Sequence, residues 1–353
     1  MKKIKVGIWG LGRAGNLMHI SEIAKFPEMF AIVAGCDNDN DRIKAAKEKL
    51  PSCRFYGNPE EFLKDPEVEL VSIATRSPDH TPHAIRALAA GKYVFLEKPI
   101  ALSYAEARKL KKASEKHPGK LYLRHNRRYE APFNHIREII ASGILGDVYE
   151  VKLHRHGYQR RNDWQTIIGC GGGQLNNWGP HIIDHALRFL ESPVAKVWSD
   201  LKNIAAAGDA EDHLKIVLTG ENGRVVDLEI SGGTAIPQPE YVIFGSKGAL
   251  VCQGEGSAIT MKYIDPKQKL LKIKAYPGNP PLSGVFGNAE VLKWVEKTIP
   301  IAPKNACDVH HIWKGLYEAI CKGKSYPVTI DEAVEVVRVA ELAKKGTKFA
   351  VKP

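Results

Sequence analysis

Six cysteines are scattered over 353 residues, and no two of them form a C-x-x-C pair. Cys36, Cys53, Cys170, Cys252, Cys307 and Cys321 read as reduced thiols of a cytoplasmic chain, which excludes a disulfide frame or a zinc knot. No apolar run reaches the roughly 18 residues that a membrane span needs, so no membrane partner is expected. Internal repeats, low-complexity tracts and long linkers are also missing. The opening stretch MKKIKVGIWG is basic then apolar, as a leader would be. Glycines punctuate it, however, and it runs straight into a glycine motif, so it reads as a strand. Acidic charge is in deficit, with a net charge of +11. The lysines sit beside acids, as in RIKAAKEKL and ARKLKKASEKH, which is the texture of solvated helix faces rather than of a nucleic-acid surface. An anionic cofactor or substrate explains the bias equally well.

The length suits two domains. Residues 1–123 alternate strand and helix: IKVGIW, RAGNLMHISEIAKF, FAIVAGCD, DRIKAAKEKL, VELVSIAT, DHTPHAIRALAA, KYVFLE, SYAEARKLKKASEK and KLYLRH. That alternation predicts an α/β domain, a doubly wound parallel sheet with helices on both faces. Residues 124–353 change texture. DVYEVKLHRHGY, AKVWSDLKNIA, HLKIVLTG, RVVDLEISG, EYVIFGSKGALVCQG, AITMKYI and KLLKIKAY read as successive strands joined by short turns such as GENG. They predict an α+β domain with a large open, mostly antiparallel sheet. Helices interrupt it at APFNHIREIIAS, PHIIDHALRFLE, NACDVHHIWKGLYEAICKG and IDEAVEVVRVAELAKKG. A cleft is expected where the two halves touch.

GLGRAG sets Gly10, Gly12 and Gly15 between the first strand and the first helix. Gly10 allows the tight turn, Gly12 lets a pyrophosphate approach the backbone, and Gly15 lets helix pack on strand. The phosphates would then meet a helix N-terminus. Asp37 closes the second strand 22 residues after Gly15. It can accept hydrogen bonds from both ribose hydroxyls and repels a 2′-phosphate, so NAD is favoured over NADP. Arg42, nearby, reads most simply as a helix-face residue.

KYVFLEKP delivers Glu97 and Lys98 to the carboxyl end of a parallel strand, where open sheets bind ligands. A cis Lys-Pro bond there would fix the direction of the lysine. Position alone leaves two readings open, a solvated strand end or a lysine that handles protons at a hydroxyl.

NNWGPHIIDH raises a similar question. Pro180 suits a first helical turn. Ile182, Ile183, Ala186, Leu187 and Leu190 make one face, and His181, Asp184, His185 and Arg188 the other. Periodicity alone gives a polar face in water, and His181 with His185 at i, i+4 would also suit a metal. The lysine at the sheet edge turns the weight toward an acid/base His181 that looks into a cleft. His154 and His156 share a strand face but lack a third ligand, so no metal is expected. Adjacent His310 and His311 diverge on a helix. Trp164 lies in the basic loop QRRNDW, where it could stack on a sugar ring.

Taken together, IATRSPDHTPHAIRALAAGKYVFLEKPIALS, HNRRYEAPF, GILGDVYEV, GGGQLNNWGPHIIDHALRFL and VIFGSKGAL resemble the signature segments of the glucose-fructose oxidoreductase and inositol dehydrogenase family (Gfo/Idh/MocA). The resemblance spans nearly the whole chain. It implies a Rossmann domain followed by an open sheet that mediates a homodimer or homotetramer. It implies hydride transfer between a nicotinamide cofactor and a ring hydroxyl of a sugar or cyclitol. It makes Lys98 the catalytic lysine and His181 the acid/base. Around the cofactor it places Thr75, Ser77, His80, Glu97, Lys98 and Asn126, beside Arg13 of the glycine loop, and around the substrate Arg127 and Asn177, with Trp164 and Asp184 as further substrate candidates. Asp184 and His185 are equally expected as orienting partners. Asn177 stands where many relatives carry an Asp. It keeps two donors and an acceptor but takes no proton, so it can bind hydroxyls without relaying protons. Two rivals accompany this reading: a cofactor-retaining lyase or glycosidase that oxidises its sugar transiently, and a dinucleotide-sensing regulator without catalysis.

Overall fold

The computed structural model describes residues 2–272, 290–305 and 307–350. Six strands build the first sheet: β1 (Ile4–Trp9), β2 (Phe30–Cys36), β3 (Arg54–Tyr56), β4 (Leu70–Ile73), β5 (Tyr93–Leu96) and β6 (Leu121–Leu123). Their order is β3-β2-β1-β4-β5-β6, and every pairing is parallel. Val6, Ile8, Leu70, Val71, Ile73, Val94, Phe95 and Leu96 are all buried. Apolar runs without alternation are what a sheet covered on both faces requires. The strand order reverses between β1 and β4, and that switch opens a crevice at the carboxyl ends of both.

The first helix departs from expectation. Residues Arg13–His19 form a π-helix, and only Ile20–Ile23 are α-helical. The wider turn brings His19 fully inside, where it meets Ser72 and Glu97. Such widened turns concentrate at functional sites.

Eight strands build the second sheet: β7 (Val148–His156), β8 (Val194–Lys202), β9 (His213–Gly220), β10 (Val225–Ser231), β11 (Tyr241–Gly245), β12 (Gly248–Cys252), β13 (Ala258–Ile264) and β14 (Trp294–Pro300). The order is β14-β13-β12-β11-β7-β10-β9-β8, antiparallel except for the parallel pair β7–β10. The last strand differs from the sequence reading. Residues 269–272 of KLLKIKAY hold no strand, residues 273–276 lie outside the described residues, and WVEKTIP pairs with β13 instead. The inward positions of this sheet alternate strictly in β9 and β10, with Leu214, Ile216, Leu218, Val226, Leu228 and Ile230 buried.

The helices Gly179–Leu190 and Ile330–Lys344 join that core through Ile182, Ile183, Phe189, Val336 and Val339. The second of these starts at a capping box between Thr329 and Glu332. Its other flank, Ala333, Val334 and Val337, packs with Leu96, Ile100 and Leu123 of the first domain. Helix His311–Lys322 also belongs to the first sheet by packing, although it lies far beyond residue 123. Trp313 stands edge-on to Phe95 and Phe30, and Ile312, Leu316 and Tyr317 join Ile4 and Val6. The chain therefore returns to its first domain at the end, which ties the two walls of the cleft together.

Candidate active site

Three glycines at the end of β1 have three different causes. Gly10 sits at φ +99°, and a Cβ there would come within 2.6 Å of the Ala74 carbonyl oxygen. A Cβ at Gly15 would collide with the carbonyl oxygen of Gly10. The fold itself requires both. Gly12 has φ −71°, and the nearest atom to a Cβ would be Arg42 Nη1 at 3.8 Å. Neither the backbone nor the packing asks for glycine there, so a bound group close to the main chain accounts for it. This observation fits a dinucleotide pyrophosphate.

Asp37 is buried at the end of β2. Its Oδ2 accepts from Leu11 N at 2.7 Å and its Oδ1 from Asp39 N at 3.0 Å. Arg42 is exposed on the helix Asn40–Lys49, 3.3 Å from Asp39 and 3.7 Å from the Asp37 carboxylate. Arg13 is exposed at the first position of the π-helix, and Ser77 is half-buried in a short turn. Thr75 Oγ1 meets His83 Nδ1 at 3.2 Å, and His83 stacks on Trp9. His80 is buried. Its Nδ1 lies 2.7 Å from the Pro99 carbonyl and its Nε2 3.1 Å from that of Thr75. Burial pushes its pKa below the ordinary value, and the two carbonyls act against that. The histidine thus ties two strand-end loops together.

Lys98 leaves β5 before a cis peptide bond to Pro99. Its Nζ donates to the main-chain carbonyl of Asn177 at 2.8 Å, across the cleft between the domains. Burial lowers its pKa to about 8. Glu97 acts against this, and Arg124, Arg127 and Arg13 act with it. One turn beyond Asn177 comes His181, also buried, with no partner for Nδ1. Burial first, then the charges of Lys98 and Arg127, push its pKa well below the ordinary value. The neutral form of His181 is therefore favoured. His125 and Trp178 stand edge-on to its ring, at centroid distances of 6.5 Å and 5.9 Å.

The remaining polar positions divide. Asn126 is buried with Oδ1 unpartnered. Arg127 pairs with Glu130 and lies over the Trp178 ring at 4.7 Å, and Arg155 covers the same ring at 4.2 Å. The Asn177 side chain is half-buried and approaches only Gln165 Nε2, at 3.5 Å. Trp164 is 40 % exposed on the turn just before Gln165. Asp184 is placed differently. It is 1 % exposed, and both its oxygens are held by Arg128, at 2.6 and 2.7 Å. Those bonds are what the orienting role requires. His185 stacks on Phe133 and meets the Arg127 carbonyl. The polar stripe of this helix is therefore largely covered: His181, Asp184 and His185 are buried and Arg188 is half-buried. Among the described residues, no group of three or more His, Cys, Asp or Glu side chains is arranged to hold a metal.

Sequence reasoning missed the layer beneath Lys98. Glu97 Oε1 accepts from Arg124 Nη1 at 2.6 Å and faces His19 Nε2 at 2.9 Å. Arg124 Nη2 bridges both oxygens of Glu22, which also accepts from Trp313 Nε1. Only one local signal could have found it, a charged residue directly after the buried strand LYL.

Family models match both halves. Residues 4–125 match an oxidoreductase family with an NAD-binding Rossmann fold, and residues 133–251 match a GFO/IDH/MocA C-terminal domain. The chain belongs to the Gfo/Idh/MocA family of oxidoreductases. A family member from Bacillus subtilis, scyllo-inositol 2-dehydrogenase (NADP(+)), is 26 % identical over 98 % of this chain and 94 % of its own. Myo-inositol 2-dehydrogenase of Thermotoga maritima is 27 % identical over 70 % of this chain and 74 % of its own. The crystal structure of an NAD-binding protein from Listeria innocua has the same fold, with a TM-score of 0.80 at 22 % identity, covering 98 % of this chain and 96 % of its own.

Proposed function

We propose that this Gfo/Idh/MocA protein is a dehydrogenase that oxidises a ring hydroxyl of a sugar or cyclitol, and reduces the ketone in reverse, with NAD preferred over NADP. A bound nicotinamide supplies the hydride acceptor. Lys98 donates to the reacting hydroxyl oxygen and stabilises negative charge there as the C–H bond breaks. The neutral imidazole of His181 takes the hydroxyl proton. Asn177, whose side-chain amide has no close partner among the described residues, binds a neighbouring hydroxyl. Gly12 and Asn126 border the cofactor, and Asp37 carries negative charge at its ribose end.

One observation carries this reading: a lysine anchored across the cleft one helical turn from a neutral, unspent histidine. A regulator would have no use for that pair. The test is NADH absorbance across a panel of inositols, hexoses and uronic acids. Growth of the signal with one of them supports the reading. Product formation without net NADH would favour the cofactor-retaining lyase.

Self-association through the second sheet belongs to the same proposal. Val197 and Val295 pack into the core, so their neighbours Trp198 and Trp294 face outward from β8 and β14. Exposed tryptophans on an open sheet fit a second copy of this chain. Sedimentation should show a dimer or tetramer, and Trp198→Arg should shift it toward monomer.

A further inference from the structure

The buried charge layer under Lys98 has no direct part in the chemistry above. It holds two carboxylates, one guanidinium and one imidazole, all beneath the carboxyl end of β5. Glu97 is the nearest acid to the reacting lysine in sequence, and an unoccupied carboxylate there would draw the ammonium down onto itself. Its three contacts prevent this. Oε1 is taken by Arg124 and His19, and Oε2 by the main-chain N–H of Lys98 itself. Lys98 Nζ points away, to the Asn177 carbonyl. Arg124 is in turn held by Glu22, and Glu22 by Trp313 of the late helix.

We propose that Arg124, clamped by Glu22, is a positioning residue for Lys98: it occupies the carboxylate of Glu97 and so keeps the lysine amine directed into the cleft. The proposal rests on Lys98 serving the reacting hydroxyl. Electrostatics support the geometry. Arg124 pushes the lysine toward its neutral form and Glu97 pushes it back. The other charges that act on Lys98 are Arg127, from the turn after β6, and Arg13, from the glycine loop. The histidines His80, His125 and His181 feel its charge and are themselves pushed toward the neutral form by burial.

Loss of Arg124 should leave Glu97 free to hold the ammonium, and the titration of Lys98 should move up. Loss of the Glu22 charge leaves Arg124 less neutralised, and the titration should move down. The experiment is NMR of the full chain carrying 13C-dimethylated lysines, with the Lys98 resonance assigned by its disappearance in Lys98→Arg. We expect Arg124→Gln to raise the Lys98 midpoint by about one pH unit, Glu22→Gln to lower it, and Arg124→Lys to restore it. The alkaline limb of kcat/KM should follow in the same directions. Should Arg124→Gln not fold, Glu22→Gln and Arg124→Lys decide. An unmoved midpoint in the folded variants, or movement of both Gln variants in one direction, overturns the proposal. A purely structural role would lower activity without these opposed shifts. The NMR readout needs no turnover, so its failure is separable from failure of the dehydrogenase reading, which the panel of substrates tests.

Discussion

At the scale of single residues, the glycine loop makes the sharpest separation between fold and ligand. Gly12→Ala should leave the melting temperature unchanged, because its methyl group meets only ordinary contact with Arg42, at 3.8 Å. NAD affinity, followed by fluorescence, should fall about tenfold or more. Gly15→Ala should instead cost about 3 kcal/mol of stability, since its Cβ has nowhere to go. Lys98 gives a second residue-scale prediction. With its pKa lowered to about 8, the ammonium that donates to the hydroxyl is present below that pH and lost above it. The value of kcat/KM should therefore decline along an alkaline limb near pH 8, and Lys98→Arg should remove that limb along with most of the activity.

At the scale of elements, Arg128 joins three of them. It binds Asp184 of the helix Gly179–Leu190, Glu332 of the helix Ile330–Lys344 and the carbonyl of Pro327. Arg128→Met would leave Asp184 buried without its partner, at a cost of about 3–5 kcal/mol, read as a lower urea midpoint. Elements also explain what was legible in the sequence. The glycine loop, Asp37 and the Lys-Pro strand end are local patterns, in which a strand, a turn and a helix follow within a few residues. Most strands of both sheets follow from local patterning in the same way, with β3 (Arg54–Tyr56) and β14 the exceptions. The layer under Lys98 is not local: Arg124 and Glu22 are 102 residues apart, and Trp313 reaches Glu22 from 291 away. Asp184 misleads for a related reason. Helical periodicity identifies a polar face but not what covers it, and here the cover is the segment Arg127–Phe133 with Glu332, far away in sequence. The β14 strand was missed because its outward residues, Trp294, Glu296 and Thr298, leave WVEKTIP without a clear apolar alternation.

At the scale of the whole molecule, buried histidines set the response to acid. His80, His83, His125, His156, His181 and His185 are all pushed below the ordinary value, with burial the first cause in each. For His83 and His125 the pKa falls to about 4. The folded chain keeps these rings neutral, while the unfolded chain takes up protons once the pH drops below about 6.5. Their contribution is therefore complete above about pH 6.5 and is lost as the pH falls toward 4. His125 alone accounts for about 3 kcal/mol of that loss. Melting temperatures measured from pH 8 to pH 5 should be flat at first and then fall steeply. A flat profile throughout would show that these rings are protonated in the folded chain.

The cleft joins all three scales, because the lysine, the helix and the returning C-terminal segment meet there. Its central pair is tested most directly by single-turnover and steady-state rates of His181→Ala and Lys98→Ala, with NAD affinity measured on the same samples. The account predicts that each variant binds NAD as the parent does and loses about 10²- to 10⁴-fold in kcat. Near-parental turnover in either variant, with NAD bound, would contradict it.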